Sequence, residues 1–293
     1  MTTDPELIDG FVAEGLAVNT VCRILQIPRS SYYRAKQGPV TSVRTESASD
    51  LELLEHIKQI KLRFPAWGYR RVRALLKKRL KTRLNRKRIY RLMKHFTLLV
   101  DVKHYKAKRT PQTTKPRATR KNQWWGTDMT KFYVNTVGWV YLMIVLDWYS
   151  RKIIGFSFGR KPDTNLWLEA LHMAVENECP LGSRVYGISL MSDNGSQPTS
   201  GKYEKELETL GISHATTSYS NPKGNAETER VIRTIKEDAI WPYEFDTITE
   251  ALEVITQQIM FYNTEYPHSA LGELSPIEFE QLTSRQEPVN QAA

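Results

Sequence analysis

Cysteine is scarce in this chain. Cys22 and Cys179 are the only two in 293 residues, and neither has a cysteine or histidine neighbour at metal-ligand spacing, which excludes a disulfide framework and a zinc module. Long apolar runs are missing too. The longest uninterrupted one, Trp139 to Leu146, falls far short of the roughly 20 residues that span a bilayer. The N-terminus, MTTDPELIDG, is acidic where a secretory signal would be basic and then apolar. A cytoplasmic protein with no membrane partner is expected, nucleoid-associated if its partner is DNA. No internal repeat and no leucine-zipper heptad is found. The most informative shortage is of acids: residues 58 to 120 hold one, Asp101, against 23 Lys and Arg.

That imbalance divides the chain. Residues 1 to 120 carry 28 basic against 9 acidic groups and residues 121 to 293 carry 14 against 23, so the net +10 conceals two regions of opposite sign. A merely solubilising surface would mix both signs. A dense basic segment repels itself unless a polyanion is near, and counterion release from nucleic acid is the usual return for it. With 40% apolar and 10% aromatic residues the chain has enough material for globular cores, and its length suits about two domains.

Residues 1–36 predict a small helix-turn-helix-like pair, with Asn19 capping a helix that carries Val21, Ile24 and Leu25, and a restart after Pro28. Residues 37–50 are polar and are expected to be a linker. Residues 51–100 predict a basic helical DNA-binding domain with two apolar stripes, Val72, Leu75, Leu76 and Leu80, then Ile89, Leu92, Met93 and Phe96 after a cap at Asn85. The other faces of that last helix carry Arg86, Lys87, Arg88 and Arg91, the arrangement of a helix pressed on DNA. Residues 101–123 have no periodicity and are expected to be a basic extended linker tracking phosphates. From 124 to 283 the texture is that of a mixed α/β sheet: three strands in a meander, then helix, strand, helix, strand, helix. Residues 284–293 are expected to be a disordered tail.

Several acids fall where such a sheet would bring them together. Asp128 lies within the first strand, Asp193 follows the fourth in SDNG, and NAETERVIRTIKED carries three glutamates and an aspartate on the next helix. Acids in mid-strand are costly unless they bind something. Two aspartates and a glutamate offer only hard oxygen ligands, which suit Mg2+ or Mn2+; two such ions about 4 Å apart serve phosphodiester chemistry. At 100° per residue Glu227 and Glu229 differ by about 200°, so one of them faces the aspartates. Glu229 shares a polar face with Arg233 and Lys236, opposite Val231, Ile232 and Ile235; alone, that pattern is equally a surface Glu229–Arg233 ion pair.

The segments GTDMT, LDWYSRKIIGF, SDNGSQPTS, NPKGNAETERVIRTIKE and YNTEYPHSALGELSPIEF, in this order across most of 124–280, resemble the DDE transposases and integrases with an RNase H-like core, and among them the OrfB proteins of insertion sequences of the IS-three type. GYRRVRALLKKR and LNRKRIYRLMKHF resemble the helical domain that precedes that core. Pro198 departs from the family's usual choice after SDNGSQ. The resemblance implies a five-stranded RNase H-like sheet, Asp128, Asp193 and Glu229 as catalytic and metal-binding residues for Mg2+ or Mn2+ (two ions), and Lys236 as a DNA contact, with Arg233, Arg230 and Lys223 as further DNA-binding candidates. It leaves Glu227, Glu237 and Asp238 as solvated charges. It further implies a transposase that acts on DNA element ends and target as a homo-oligomer, with an OrfA-type partner or fusion. The alternative is a catalytically inactive DNA-binding regulator that retains the fold.

Overall fold

The structure, a computed structural model, describes residues 5–36, 48–100, 116–217 and 224–285. The chain forms two compact units, residues 1–51 and 52–293. In the first, helices α1 (Pro5–Ala13), α2 (Val18–Ile24) and α3 (Arg29–Lys36) close over Ile8, Val21, Cys22 and Tyr32. The Asp9 carboxylate accepts hydrogen bonds from the Tyr32 hydroxyl and the Lys36 ammonium. Two features differ from the sequence reading. Helix α1 is a third helix, too short to show more than one buried i, i+4 pair, Ile8 and Val12. Ala17, not Asn19, occupies the cap position of α2, and no side chain caps it.

The second unit is built on a mixed five-stranded sheet. Strands β1 (Trp124–Val134), β2 (Gly138–Asp147) and β3 (Ile153–Gly159) form the expected antiparallel meander; β4 (Ser189–Ser192) and β5 (Ser213–Thr216) add in parallel to β1, giving the order β3-β2-β1-β4-β5. The two faces of a strand alternate along its sequence, and β2 shows the consequence. Met143 and Val145 pack with Trp125 against α7 (Thr164–Glu178) and α8 (Gly201–Leu210). Leu142, Ile144 and Leu146 pack on the opposite side with Phe132 and Val134, against α9 (Ala226–Ile235) and α10 (Ile248–Thr264). Helix α11 (Pro276–Ser284) is opened by a capping box between Ser275 and Glu278.

The basic helices share a core with the helices that flank the sheet. Helices α4 (Ala48–Arg63), α5 (Tyr69–Leu80) and α6 (Arg86–His95) bury the two predicted stripes, and Asn85 caps α6 by accepting from the Lys87 N–H at 2.8 Å. These stripes and the residues around Trp67 belong to the same hydrophobic core as α9 and α10. Trp67, fully buried, stacks on Phe64 with ring centroids 4.4 Å apart, and Phe64 stacks on Phe261 of α10 at 5.0 Å. Truncating a tryptophan so placed costs about 3–5 kcal/mol.

Two expected linkers also change. Helix α4 starts at Ala48, inside the predicted linker 37–50, whose residues 37–47 lie outside the described ones. Residues 116–123 are tied into the core, while 101–115 are outside the described residues. The Lys121 ammonium pairs with buried Glu178 at 2.6 Å, and the Asn122 N–H donates to the Asp147 carboxylate at 2.9 Å. Their sequence looks like an arm because its few anchoring groups have no periodicity. The tail 284–293 lies outside the described residues from 286 onward.

Candidate active site

Asp128 sits in mid-β1, opposite Ile144 of β2, on the face it shares with Phe132 and Val134. Strands β1 and β4 run parallel with Gly126 opposite Met191. Two further steps of that register bring Asp128 level with Asp193, the first residue beyond β4. Asp193 is exposed, and its Oδ1 accepts from the Gly195 N–H at 3.4 Å, an Asx-type turn that the SDNG sequence favours.

Helix α9 reaches β1 through a glycine. A Cβ on Gly126 would stand 2.2 Å from both Thr228 Oγ1 and Trp148 Nε1, and 2.9 Å from Asn225 Oδ1, so bare backbone is required. Across this contact the Asn225 Nδ2–H donates to the Thr127 carbonyl at 2.8 Å and the Trp148 indole N–H to Thr228 Oγ1 at 3.1 Å, all of them buried groups. The first turn of α9 is thereby fixed to the strand two residues before Asp128. Glu229, next after Thr228, is exposed.

Asp128 feels both of the other carboxylates. Half-buried Asp128 has its pKa pushed up to about 7, chiefly by burial, with the charges of Asp193 and Glu229 adding; the Met129 N–H, 2.8 Å from Oδ1, and the Lys236 ammonium oppose the shift. Burial raises Glu229 as well. A carboxyl forced towards its neutral form by burial and by like charges gains most from a nearby cation. The donors are oxygen alone and fit a hard divalent cation. Among the described residues no three His, Cys, Asp or Glu side chains are gathered tightly enough to grip an ion.

Residues 118–222 and 210–276 match the integrase core domain, and residues 48–106 match the HTH-like domain. The chain is 30% identical over 278 residues to the insertion element IS600 uncharacterized 31 kDa protein of Shigella sonnei, covering 89% of this chain and 97% of that one. The chain belongs to the transposases of IS-three-type insertion sequences. It is also 25% identical over 282 residues to the transposase InsD for insertion element IS2 of Escherichia coli, covering 92% of each. In fold it is similar to a chain of the simian T-cell lymphotropic virus intasome in complex with PP2A regulatory subunit B56 gamma, with a TM-score of 0.50, 16% identity, and 75% of this chain and 78% of that one covered. The transposase is thus a DDE polynucleotidyl transferase with an RNase H-like core and a DNA-binding helical region.

The remaining predicted residues of the transposase are dispersed. Lys236 lies within electrostatic reach of Asp128. Arg233 turns away from Glu229 and pairs with Glu237 at 2.8 Å. Arg230 lines a cavity together with Arg71 and Arg151. On α6, Arg86, Lys87 and Arg91 are exposed and Arg88 is half-buried, around a buried stripe of Ile89, Leu92 and Met93. Lys223 lies outside the described residues.

Three charges expected to be solvated are not. Glu237 is half-buried and paired with Arg233. Glu227 is half-buried and pairs with Arg151 at 3.4 Å. Asp238 is buried in a π-helical turn, Lys236–Ile240, that continues α9. Its two oxygens each stand 3.1 Å from the Trp67 indole nitrogen, which donates to them, and Gln258 Nε2 donates at 3.4 Å. Helical phase carried this signal: at 100° per residue Asp238 falls about 20° from buried Val231. Sequence reasoning gave Trp67 and Arg71 no role of their own. Asp147 has a structural part, with Oδ1 accepting from the backbone N–H and hydroxyl of Ser150.

Proposed function

We propose that Asp128, Asp193 and Glu229 are the catalytic carboxylates of this transposase and hold divalent metal, Mg2+ or Mn2+, as two ions. The observation that carries this reading is the state of Asp128, whose carboxyl is pushed to about 7 by burial and by the charges of Asp193 and Glu229. Divalent metal bound there supplies activation of an attacking oxygen and stabilisation of a leaving one. The chain's own residues do the positioning. The close contact at Gly126 holds the helix of Glu229 at fixed depth against β1, and the parallel register keeps Asp128 level with Asp193. Lys236 offers an ammonium to a DNA phosphate beside them, which orients the backbone without reading sequence. The reaction is cleavage of DNA at the element ends, followed by attack of the freed 3′ hydroxyl on a target phosphodiester; no protein nucleophile is required. An OrfA-type partner or fusion supplies further DNA recognition, and the working species is a homo-oligomer on DNA.

The test is end cleavage and strand transfer with the OrfA-type partner supplied. The wild type is expected to react in Mg2+ or Mn2+ and to stop in EDTA. Asp193→Asn is expected to keep DNA binding and lose both reactions, since it removes a ligand charge while keeping the shape. Strand transfer by Asp193→Asn, or none by the wild type in either metal, would refute the assignment.

A further inference from the structure

Beside α9, on the flank that carries Glu227, Arg230, Val231 and Thr234, lies a cavity of about 590 Å³. Its walls come from α5, from the turn after β2, from α9 and from the segment Tyr262 to Ala270, stretches far apart in sequence. Three guanidiniums meet there: Arg71, Arg151 and Arg230. They act on one another and on their surroundings. Burial, and to a lesser degree the charge of Arg230, disfavours protonated Arg151, and burial together with Arg151 and Arg71 pushes His268 down to about 3, so that its imidazole is neutral. Against three cations the lining offers a single carboxylate, Glu227, paired with Arg151. Among the described residues neither Arg71 nor Arg230 forms an ion pair with a carboxylate. Arg71 instead lies over the rings of Trp67 and Tyr266, at 5.9 and 5.2 Å.

One buried group points to a ligand. Tyr262 is fully buried and lines the cavity, yet its hydroxyl has no hydrogen-bond partner among the described residues. Buried polar groups are rarely left so. Arg151, in addition, is a non-glycine residue with φ of 63°, a left-handed conformation that costs energy and that buried Asp147 enforces by accepting the Arg151 N–H at 2.9 Å. A second cavity, of about 410 Å³, shares Arg151, Glu227 and Ala270 with the first and adds Arg117 and the aromatic side chains of Trp148 and Tyr149.

We infer that the first cavity binds the phosphate of an unpaired nucleotide of the DNA substrate, and that the strand continues past Arg151 along the second. Guanidinium forks match phosphate oxygens bidentately, and the Tyr262 hydroxyl adds a neutral donor. Two adjoining basic cavities with aromatic walls suit a strand, whose bases stack as its phosphates pair, better than a lone anion. A duplex carries its phosphates on a cylinder too wide to enter. Arg230 follows Glu229 directly on α9, so the cavity lies on a flank of the helix that carries Glu229. The inference rests on DNA as substrate and not on metal.

The experiment measures binding of the full chain, in EDTA, to a labelled 15-nucleotide single strand and to a 15-base-pair duplex. Arg230→Gln is expected to weaken the single strand about five- to tenfold, to lower its salt dependence by about 0.7 in log–log slope, and to leave the duplex within about twofold. Tyr262→Phe is expected to weaken the single strand about threefold with an unchanged unfolding midpoint, which separates a ligand contact from a structural one. Unlabelled pyrophosphate is expected to compete with the single strand. Equal losses on both DNAs, or wild-type affinity in both variants, would overturn the proposal. Binding of dTMP without binding of the oligonucleotide would also overturn it, and would assign the cavity to a free nucleotide. The binding is read in EDTA and needs no metal-dependent step, so this result and that of the metal test are independent.

Discussion

Asp238 is a buried acid held at a cost. Its pKa is pushed from an ordinary 3.8 up to about 6, chiefly by burial, against the pull of the Trp67 N–H and the Arg71 charge. A folded value above the unfolded one means that ionisation favours the unfolded chain. The penalty is absent below about 3.8, builds as the pH rises towards 6, and is complete above it. A gap of about two pH units, at about 1.4 kcal/mol each, makes the full penalty about 3 kcal/mol. Asp238→Asn keeps the shape and an acceptor for Trp67 while removing the charge. It is therefore expected to stabilise the transposase by up to about 3 kcal/mol at pH 8 and by roughly half as much at pH 5. Trp67→Phe, which takes the indole donor from the carboxylate, is expected to destabilise by about 1.5–3 kcal/mol, more at pH 8 than at pH 5. Urea unfolding of the three proteins at both pH values is the assay. A stabilisation by Asp238→Asn that is the same at pH 5 and pH 8, or a destabilisation at pH 8, would refute the reasoning.

Gly126→Ala forces a methyl group into contacts at 2.2 Å with Thr228 and Trp148 and breaks the buried hydrogen bonds beside them. A loss of about 3 kcal/mol or more in chemical unfolding is expected, together with impaired strand transfer as α9 shifts; a loss below about 1 kcal/mol would show that the contact is not tight. Gly10→Ala, with nothing within 4 Å, is the control and is expected to be neutral or slightly stabilising. Glu229→Gln is expected to abolish strand transfer in the presence of the OrfA-type partner, whereas Glu227→Gln, which loses its ion pair with Arg151, keeps it within several-fold. Equal losses from the two would reverse the assignment of their faces.

Local signals carried much of this fold. The β-branched and aromatic runs of β1 to β3 and the stripes of α5 and α6 follow periods of two and of about 3.6 that no long-range contact is needed to recognise. Asp128, Asp193 and Glu229 were legible as candidates because acids at a strand centre, after a strand end and on one helix face are costly or conspicuous. What brings them together is less visible. That α9 docks on β1 depends on Gly126 meeting Asn225 and Thr228 about a hundred positions later, and a glycine in a strand does not name its neighbour. The cavity of Arg71, Arg151 and Arg230 joins three basic residues far apart in sequence, of which only Arg230 stands out, as a DNA-binding candidate, and none names the other two. At Asp238 residue type was trusted over helical phase, and phase was right.

The helical segment looked like an independent module because its charge differs so sharply from that of the sheet and its flanking helices, yet charge describes its surface and not its core. Trp67 is fully buried among Phe64, Phe261 and Tyr266, and its N–H is the donor nearest to Asp238. Undocking α4 to α6 would expose that ring and strip a buried carboxylate of its partner, at about 3–5 kcal/mol for the ring alone. The same α9 and its π-helical turn carry Glu229 near one end, fixed to β1 through Gly126, and Asp238 at the other, fixed to Trp67. The exposed basic side chains of α6 are therefore held in a set relation to Glu229 by packing of the fold rather than by a tether.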